Sequence, residues 1–365
     1  MATELWIGAI VVSIAAILFF EPGVLPTRLL RINEASLTMD IPEDMACLPH
    51  DGTSAIAIPL TADSNNIFVS WVSIDEQWVK VAIDTGSESL VVASTDCTAC
   101  DDDMKSIVST GTGRKRTLTY GSQTDTVKWQ QSKIMLRGWK MTCDPNDSDA
   151  ILTHTDAPSY NPVCIVGISD VAVVVDRKGT SSYNILGLGR QTLAGPPSFL
   201  HTMFPDPPRA FTIYLHSLDN ARLVLFKPSA SCLEPKYKVP IHDMDVQSHH
   251  YYVRFTSLST MERDIQTGVN RLLLDTGANA ISLPRSIYKT LKDAEPTGTL
   301  RFTINDHLMV PFTIDVPYDM RDTNNHQILD AGHVNHVIVG CTFLIGYAIG
   351  VYEDSVERFV TIDTV

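Results

Sequence analysis

An apolar run that ends abruptly in Asp-Thr-Gly occurs twice in this chain. The copies are Val81-Ala82-Ile83-Asp84-Thr85-Gly86-Ser87 and Leu272-Leu273-Leu274-Asp275-Thr276-Gly277-Ala278. One copy constrains little; two demand a fold that uses both. Runs of β-branched residues and leucine read as buried strands, so each Asp is held at a rigid strand end rather than on a loose loop. The threonine that follows has a hydroxyl for neighbouring backbone, and the glycine lets the chain turn tightly with no side chain over the carboxylate. If two such turns face each other, their carboxylates come within roughly 3 Å, where both cannot ionise and one proton is shared. Such a dyad can hold a water as nucleophile, one oxygen taking its proton while the protonated partner polarises a carbonyl. The implied chemistry is hydrolysis without a covalent intermediate.

Each motif has a downstream echo: Asn184-Ile185-Leu186-Gly187-Leu188-Gly189 for the first and Val337-Ile338-Val339-Gly340 for the second. The order is the same in both halves, as internal duplication requires. With these features the chain resembles the pepsin-type, bilobal aspartic proteases from about Ile56 to Ile362. The resemblance implies a mostly all-β, two-lobed fold, with lobes at 56–215 and 216–365, an interlobe sheet and a catalytic cleft between the lobes. It implies Asp84 and Asp275 as the catalytic pair, Thr85 and Thr276 as their supports, and Gly86, Ser87, Gly277 and Ala278 at the substrate. The two echoes would thread beneath the catalytic turns. Thr117-Leu118-Thr119-Tyr120-Gly121-Ser122 looks like the family's flap, with Tyr120 over the scissile region and Gly121 and Ser122 against the peptide. On position alone, Tyr120 reads as an ordinary edge-hairpin tyrosine. Val91 stands where much of the family has a Trp that supports the flap tyrosine, so that hydrogen bond must be missing or supplied elsewhere.

The 365 residues leave room for two lobes of ordinary size and a large core. A net charge of −14, with no concentrated basic face, argues against a nucleic-acid partner. Strand-like runs appear at Ile58-Pro59-Leu60, Ile67 to Ile74, Trp78 to Val81 and Leu90 to Ala93. Phe211 to Leu215 and Leu223 to Phe226 are expected in the interlobe sheet, and the apolar tail from Phe343 to Tyr352 as core strands rather than a membrane span. Ser286 is expected to cap a short helix running to Leu291. His249-His250 invites a metal reading, but neighbours in a strand point to opposite faces. No metal or other cofactor is expected.

Seven cysteines is an odd number, which leaves one free or paired between chains in an oxidising compartment. Cys97 and Cys100 follow the first catalytic turn, where pepsin-like enzymes often carry a small disulfide-closed loop. A disulfide is expected there over a metal site or free thiols; Cys47, Cys143, Cys164, Cys232 and Cys341 are left unassigned. The adjacent Asp101-Asp102-Asp103 run and Arg114-Lys115-Arg116 read as solvated segments, and Asn146-Asp147-Ser148 is a glycosylation sequon.

At the N-terminus, Leu5 to Phe20 is apolar or small apart from Ser13, and Glu21-Pro22-Gly23 ends the run. The absence of a basic lead-in and of a small-x-small site favours a retained membrane anchor over a cleaved signal. The expected location is the secretory pathway, with the catalytic part lumenal or extracellular, although Arg28 and Arg31 argue for the opposite orientation. Residues 21–55 resemble a shortened prosegment, with a plain juxtamembrane linker as the alternative.

The function these features imply is that of a monomeric endopeptidase acting on extended polypeptides. The alternative is a non-catalytic peptide- or protein-binding protein on the same scaffold; its usual signature, loss of a catalytic Asp, is missing. One asymmetry carries a further expectation: Ser87 follows the first motif but Ala278 the second. A hydroxyl donor favours the charged carboxylate, so its absence beside Asp275 should shift activity to less acid pH.

Overall fold

The alternating sequence gives 22 strands and only two α-helices, Phe199–Met203 and Arg285–Ala294, among the described residues. The computed structural model describes residues 48–49 and 55–365, apart from 98, 102–103, 105–106, 112–114, 121–122, 143–152, 155–162, 180–182, 193–194, 196, 206–208, 227–236, 242–247, 295, 322–327 and 354–356. The apolar Leu5 to Phe20 segment, the prosegment-like stretch up to Cys47 and the Asn146 sequon lie outside these residues. Among the described residues no helix is long and apolar enough to cross a membrane.

The strands form two sheets, and the two Asp-Thr-Gly motifs fall one in each. In the fifteen-stranded sheet, Gln77–Asp84 lies between Phe68–Ile74, its antiparallel hairpin partner, and Asn184–Gly187, which runs parallel to it. In the seven-stranded sheet, Arg271–Asp275 lies between Tyr252–Ser259, antiparallel, and Val337–Gly340, parallel. Each parallel partner then pairs antiparallel with the strand that leaves the Asp-Thr-Gly turn: Leu90–Ala93 in the first case, Ile281–Leu283 in the second. The sequence duplication is therefore a duplication of local topology. Both arrangements bury their central strands: Ile83, Leu90, Leu272 and Ile281 are all fully enclosed. At about 1.5–3 kcal/mol per enclosed side chain, this packing holds the strand ends rigid.

The strands expected at Phe211 to Leu215 and Leu223 to Phe226 are present within the fifteen-stranded sheet. Arg209–Ser217 and Asn220–Phe226 pair with each other, and they are flanked by Ala55–Ala62 on one side and Tyr347–Glu353 on the other. Tyr347–Glu353 is the expected tail strand, and it continues into Arg358–Thr364. A long hairpin of Gln123–Thr142 and Val163–Lys178 stays paired from Thr124↔Lys178 to Gly138↔Val163.

One expectation about helix ends is corrected. The second helix starts at Arg285, and the Pro284 carbonyl accepts its first backbone bond, from Tyr288 N–H at 3.0 Å. Ser286 therefore sits inside the first turn rather than at the cap, and its own carbonyl accepts the Thr290 hydroxyl at 2.9 Å.

Candidate active site

Asp84 and Asp275 are the last residues of their strands. The echo strands lock both in the same way, because Gly187 sits in register with Asp84 and Gly340 with Asp275. Backbone bonds continue the lock past the strand ends: Leu188 N–H donates to Asp84 O at 2.8 Å, and Cys341 N–H to Ala278 O at 2.7 Å. Each carboxylate also accepts the amide of its own turn, Gly86 N–H on Asp84 Oδ1 at 2.7 Å and Gly277 N–H on Asp275 Oδ1 at 2.9 Å.

The two turns are joined through their threonines. Thr85 Oγ1 donates to Leu274 O at 2.7 Å, and Thr276 Oγ1 donates to Ile83 O at 2.8 Å. Each hydroxyl in return accepts the other threonine's amide, at 3.0 Å for Thr276 N–H and 3.2 Å for Thr85 N–H. Both side chains are buried, so these four bonds satisfy groups that water cannot reach. The result is a fixed face-to-face arrangement of the turns. A Cβ placed on Gly86 would lie 2.7 Å from both Asp275 carboxylate oxygens, and one on Gly277 would lie 2.3 Å from Asp84 Cγ. Only glycine allows the approach.

Each carboxylate thus sits directly against the opposite turn. The Asp275 carboxyl is held well above the usual carboxylate range, first by burial, then by the charge of Asp84 and by the hydrogen bond between them. The Gly277 and Ala278 amides oppose that rise. The two sides differ in one respect: Ser87 Oγ donates to Asp84 Oδ2 at 2.5 Å, and Ala278 has no hydroxyl to offer Asp275.

Neither a protein-family model nor a curated protein matches this chain.

Tyr120 ends the strand Arg116–Tyr120 and pairs with Gln123, which makes the expected hairpin. Gly121 and Ser122, at its tip, lie outside the described residues. Cys97 and Cys100 form the expected disulfide. Cys164 is also disulfide-bonded. Cys341 is a free, buried thiol that donates to Asn66 O at 3.1 Å, and burial with the nearby Asp275 charge pushes it up to about 12. Among the described residues no cluster of His, Cys, Asp and Glu has the arrangement of a metal site.

The reading of His249 and His250 is corrected. They sit in a bend before the strand Tyr252–Ser259 rather than within it, so the alternation of a strand does not apply. Their rings lie against each other, with centroids 3.9 Å apart. His250 reaches the Gly86 backbone, and burial with the neighbouring His249 and His336 pushes its imidazole down to about 3. The sequence reading passed over Glu88, whose carboxylate lies 3.6 Å from His249 Nδ1.

Proposed function

We propose that this chain is a pepsin-like, bilobal aspartic endopeptidase that hydrolyses peptide bonds with a water activated between Asp84 and Asp275. The observation that carries the proposal is the reciprocal threonine exchange, which holds two carboxylates face to face in a pair that binds one proton tightly. A carboxyl held protonated beside a carboxylate supplies the general acid and general base that attack on an amide carbonyl requires. The water's oxygen attacks the carbonyl carbon as the ionised carboxylate takes its proton, and the protonated partner donates to the carbonyl oxygen. Collapse of the tetrahedral species then passes a proton to the leaving amine.

In this reading the sheet joining early and late strands is the interlobe sheet. The hairpin ending at Tyr120 closes over an extended peptide, which is held by backbone hydrogen bonds with side-chain pockets setting preference. The Cys97–Cys100 disulfide supports an oxidising compartment. This agrees with a secretory route in which Leu5 to Phe20 is the anchor and Asn146 is glycosylated.

The test is hydrolysis of a mixed peptide library across acid and neutral pH, with and without a statine-type inhibitor. Asp84→Asn and Asp275→Asn should each abolish cleavage while leaving the unfolding transition in place, because each removes the shared-proton pair but little volume. Activity near wild type in either variant would refute the proposal.

A further inference from the structure

The turn that follows the first catalytic motif is clasped by a stretch from far along the chain. Arg190 N–H donates to His249 O at 2.9 Å, Tyr251 O–H donates to Leu188 O at 3.0 Å, and Gly189 N–H donates to Ser87 O at 2.7 Å. Within this clasp the Glu88 main chain is pinned, since its carbonyl accepts Phe199 N–H at 2.8 Å. Its side chain is only 12% exposed and faces His249 Nδ1 at 3.6 Å. Glu88 is thus a third carboxylate fixed four residues after Asp84 and provided with an imidazole partner. From this geometry we propose that Glu88 and His249 are positioning residues that set the pH window of the Asp84–Asp275 dyad, a role that rests on the protease reading above.

Among the described residues the charged surroundings of the pair are few. Glu88 faces Asp84 and His249: burial raises its carboxyl above the ordinary range, His249 opposes the rise, and the Asp84 charge adds to it. Behind His249 stands His250, which remains a neutral ring at mildly acid pH. Beyond it, through the Tyr252 ring, lies His336, lowered by burial and by the Arg271 charge. The Arg190 guanidinium is directed at Glu353, 3.5 Å away. The Cys341 thiol is pushed up to about 12 by burial and by the nearby Asp275 charge and so stays protonated. Glu88, with His249 as its partner, is therefore the carboxylate whose charge reaches Asp84 from this side.

The two members act on the dyad with opposite sign. An ionised Glu88 makes removal of the dyad's last proton harder and carries the alkaline limb of the rate profile upward; a protonated His249 carries it downward. Glu88→Gln should lower that limb and His249→Gln should raise it, each by about half a pH unit. A merely structural clasp would not give shifts of opposite sign, because loosening it lowers the rate at every pH.

The experiment is kcat/KM against pH on one peptide for wild type, Glu88→Gln and His249→Gln. A carboxyl NMR titration of Glu88 in wild type and His249→Gln runs beside it and needs no turnover. The expected results are opposed limb shifts and a Glu88 titration that moves further up when His249 is removed. Superimposable limbs, or limbs shifted the same way in an enzyme that does cleave, overturn the tuning role and leave the protease reading standing. An unmoved Glu88 titration overturns the pair. A wild-type chain that cleaves nothing overturns the protease reading itself, and the tuning role falls with it.

Discussion

Thr85 and Thr276 each donate a hydroxyl hydrogen bond into the opposite strand, to Leu274 O and Ile83 O, and each accepts the other's backbone amide. The arrangement ties the two sheets together at the point where the two carboxylates must meet. It also explains why the motif needs a small β-branched alcohol: the methyl packs in a dry interior while the single oxygen both donates and accepts.

Thr85→Val and Thr276→Val keep the shape and delete the hydroxyl. Each orphans a buried carbonyl and a buried amide, at a cost of about 1–3 kcal/mol for each group left unpaired. Urea unfolding should therefore show both variants destabilised, and Thr→Ser at either position should recover most of the loss. Cleavage should fall further than stability predicts, because a shift of the facing turns misplaces the reacting atoms.

Gly277→Ala and Gly86→Ala test the approach of the turns directly. The new methyl would meet Asp84 Cγ at 2.3 Å or the Asp275 oxygens at 2.7 Å, and neither carboxylate can withdraw without leaving its amide donor. Overpacking of this kind costs about 1–3 kcal/mol, and a displacement near 1 Å at the reacting groups costs roughly 100-fold in rate. The expected outcome is a folded, inactive protein in both cases. Wild-type kcat/KM in Gly277→Ala would show that the turns do not face each other as described.

The hairpin that carries Tyr120 stands on a buried ion pair. Arg177 Nε and Nη2 grip Asp125 at 2.9 and 2.8 Å, Gln123 Nε2 adds a donor at 2.9 Å, and Arg177 Nη1 contacts Met104 Sδ at 2.8 Å. Both ions are removed from water, so deleting one partner leaves the other charged in a dry site, at about 3–5 kcal/mol. Arg177→Met should be strongly destabilised in thermal melts, and the double variant Arg177→Met/Asp125→Leu should be more stable than Arg177→Met alone. If this base also aims the hairpin, KM for a peptide should rise in the double variant while kcat changes less.

The same residues show why part of the fold was hard to read in the sequence. The two strands that carry Asp84 and Asp275 announce themselves because apolar runs end in a repeated polar triplet, and the echo strands then fall into register at Gly187↔Asp84 and Gly340↔Asp275. The long hairpin gives no such signal. Asp125, Gln130, Ser132, Ser169 and Arg177 are buried polar residues that satisfy one another or nearby backbone, so the apolar alternation is broken where the strands are most enclosed. Glu88 was overlooked for a different reason: its partner is remote in sequence, and the bend at Ser248 to His250 rather than a strand brings it in. Local pattern fixes what a residue does with its neighbours; the Glu88–His249 pair exists only after the sheets have folded.

The last prediction uses the one asymmetry between the turns. Asp84 accepts the Ser87 hydroxyl, whereas Asp275 accepts amides alone, and burial with the Asp84 charge holds Asp275 well above the carboxylate range. Ala278→Thr supplies the missing donor. A hydrogen bond to the ionised form stabilises that form, so the proton affinity on the Asp275 side falls, and because the two acids titrate together the change belongs to the pair. Asp275 is raised by burial and by the Asp84 charge and so gives up the dyad's last proton; the alkaline limb of kcat/KM reports that loss and should move down by about one unit, the equivalent of a charge-assisted hydrogen bond of ordinary strength. The converse change, Ser87→Ala, removes a donor from Asp84 and should move the acid limb, where the dyad first ionises, up. A lowered alkaline limb in Ala278→Thr beside a raised acid limb in Ser87→Ala, measured on one peptide, would assign the two limbs to the hydroxyl balance across the dyad; an unmoved alkaline limb in Ala278→Thr would mean that the new hydroxyl does not reach Asp275.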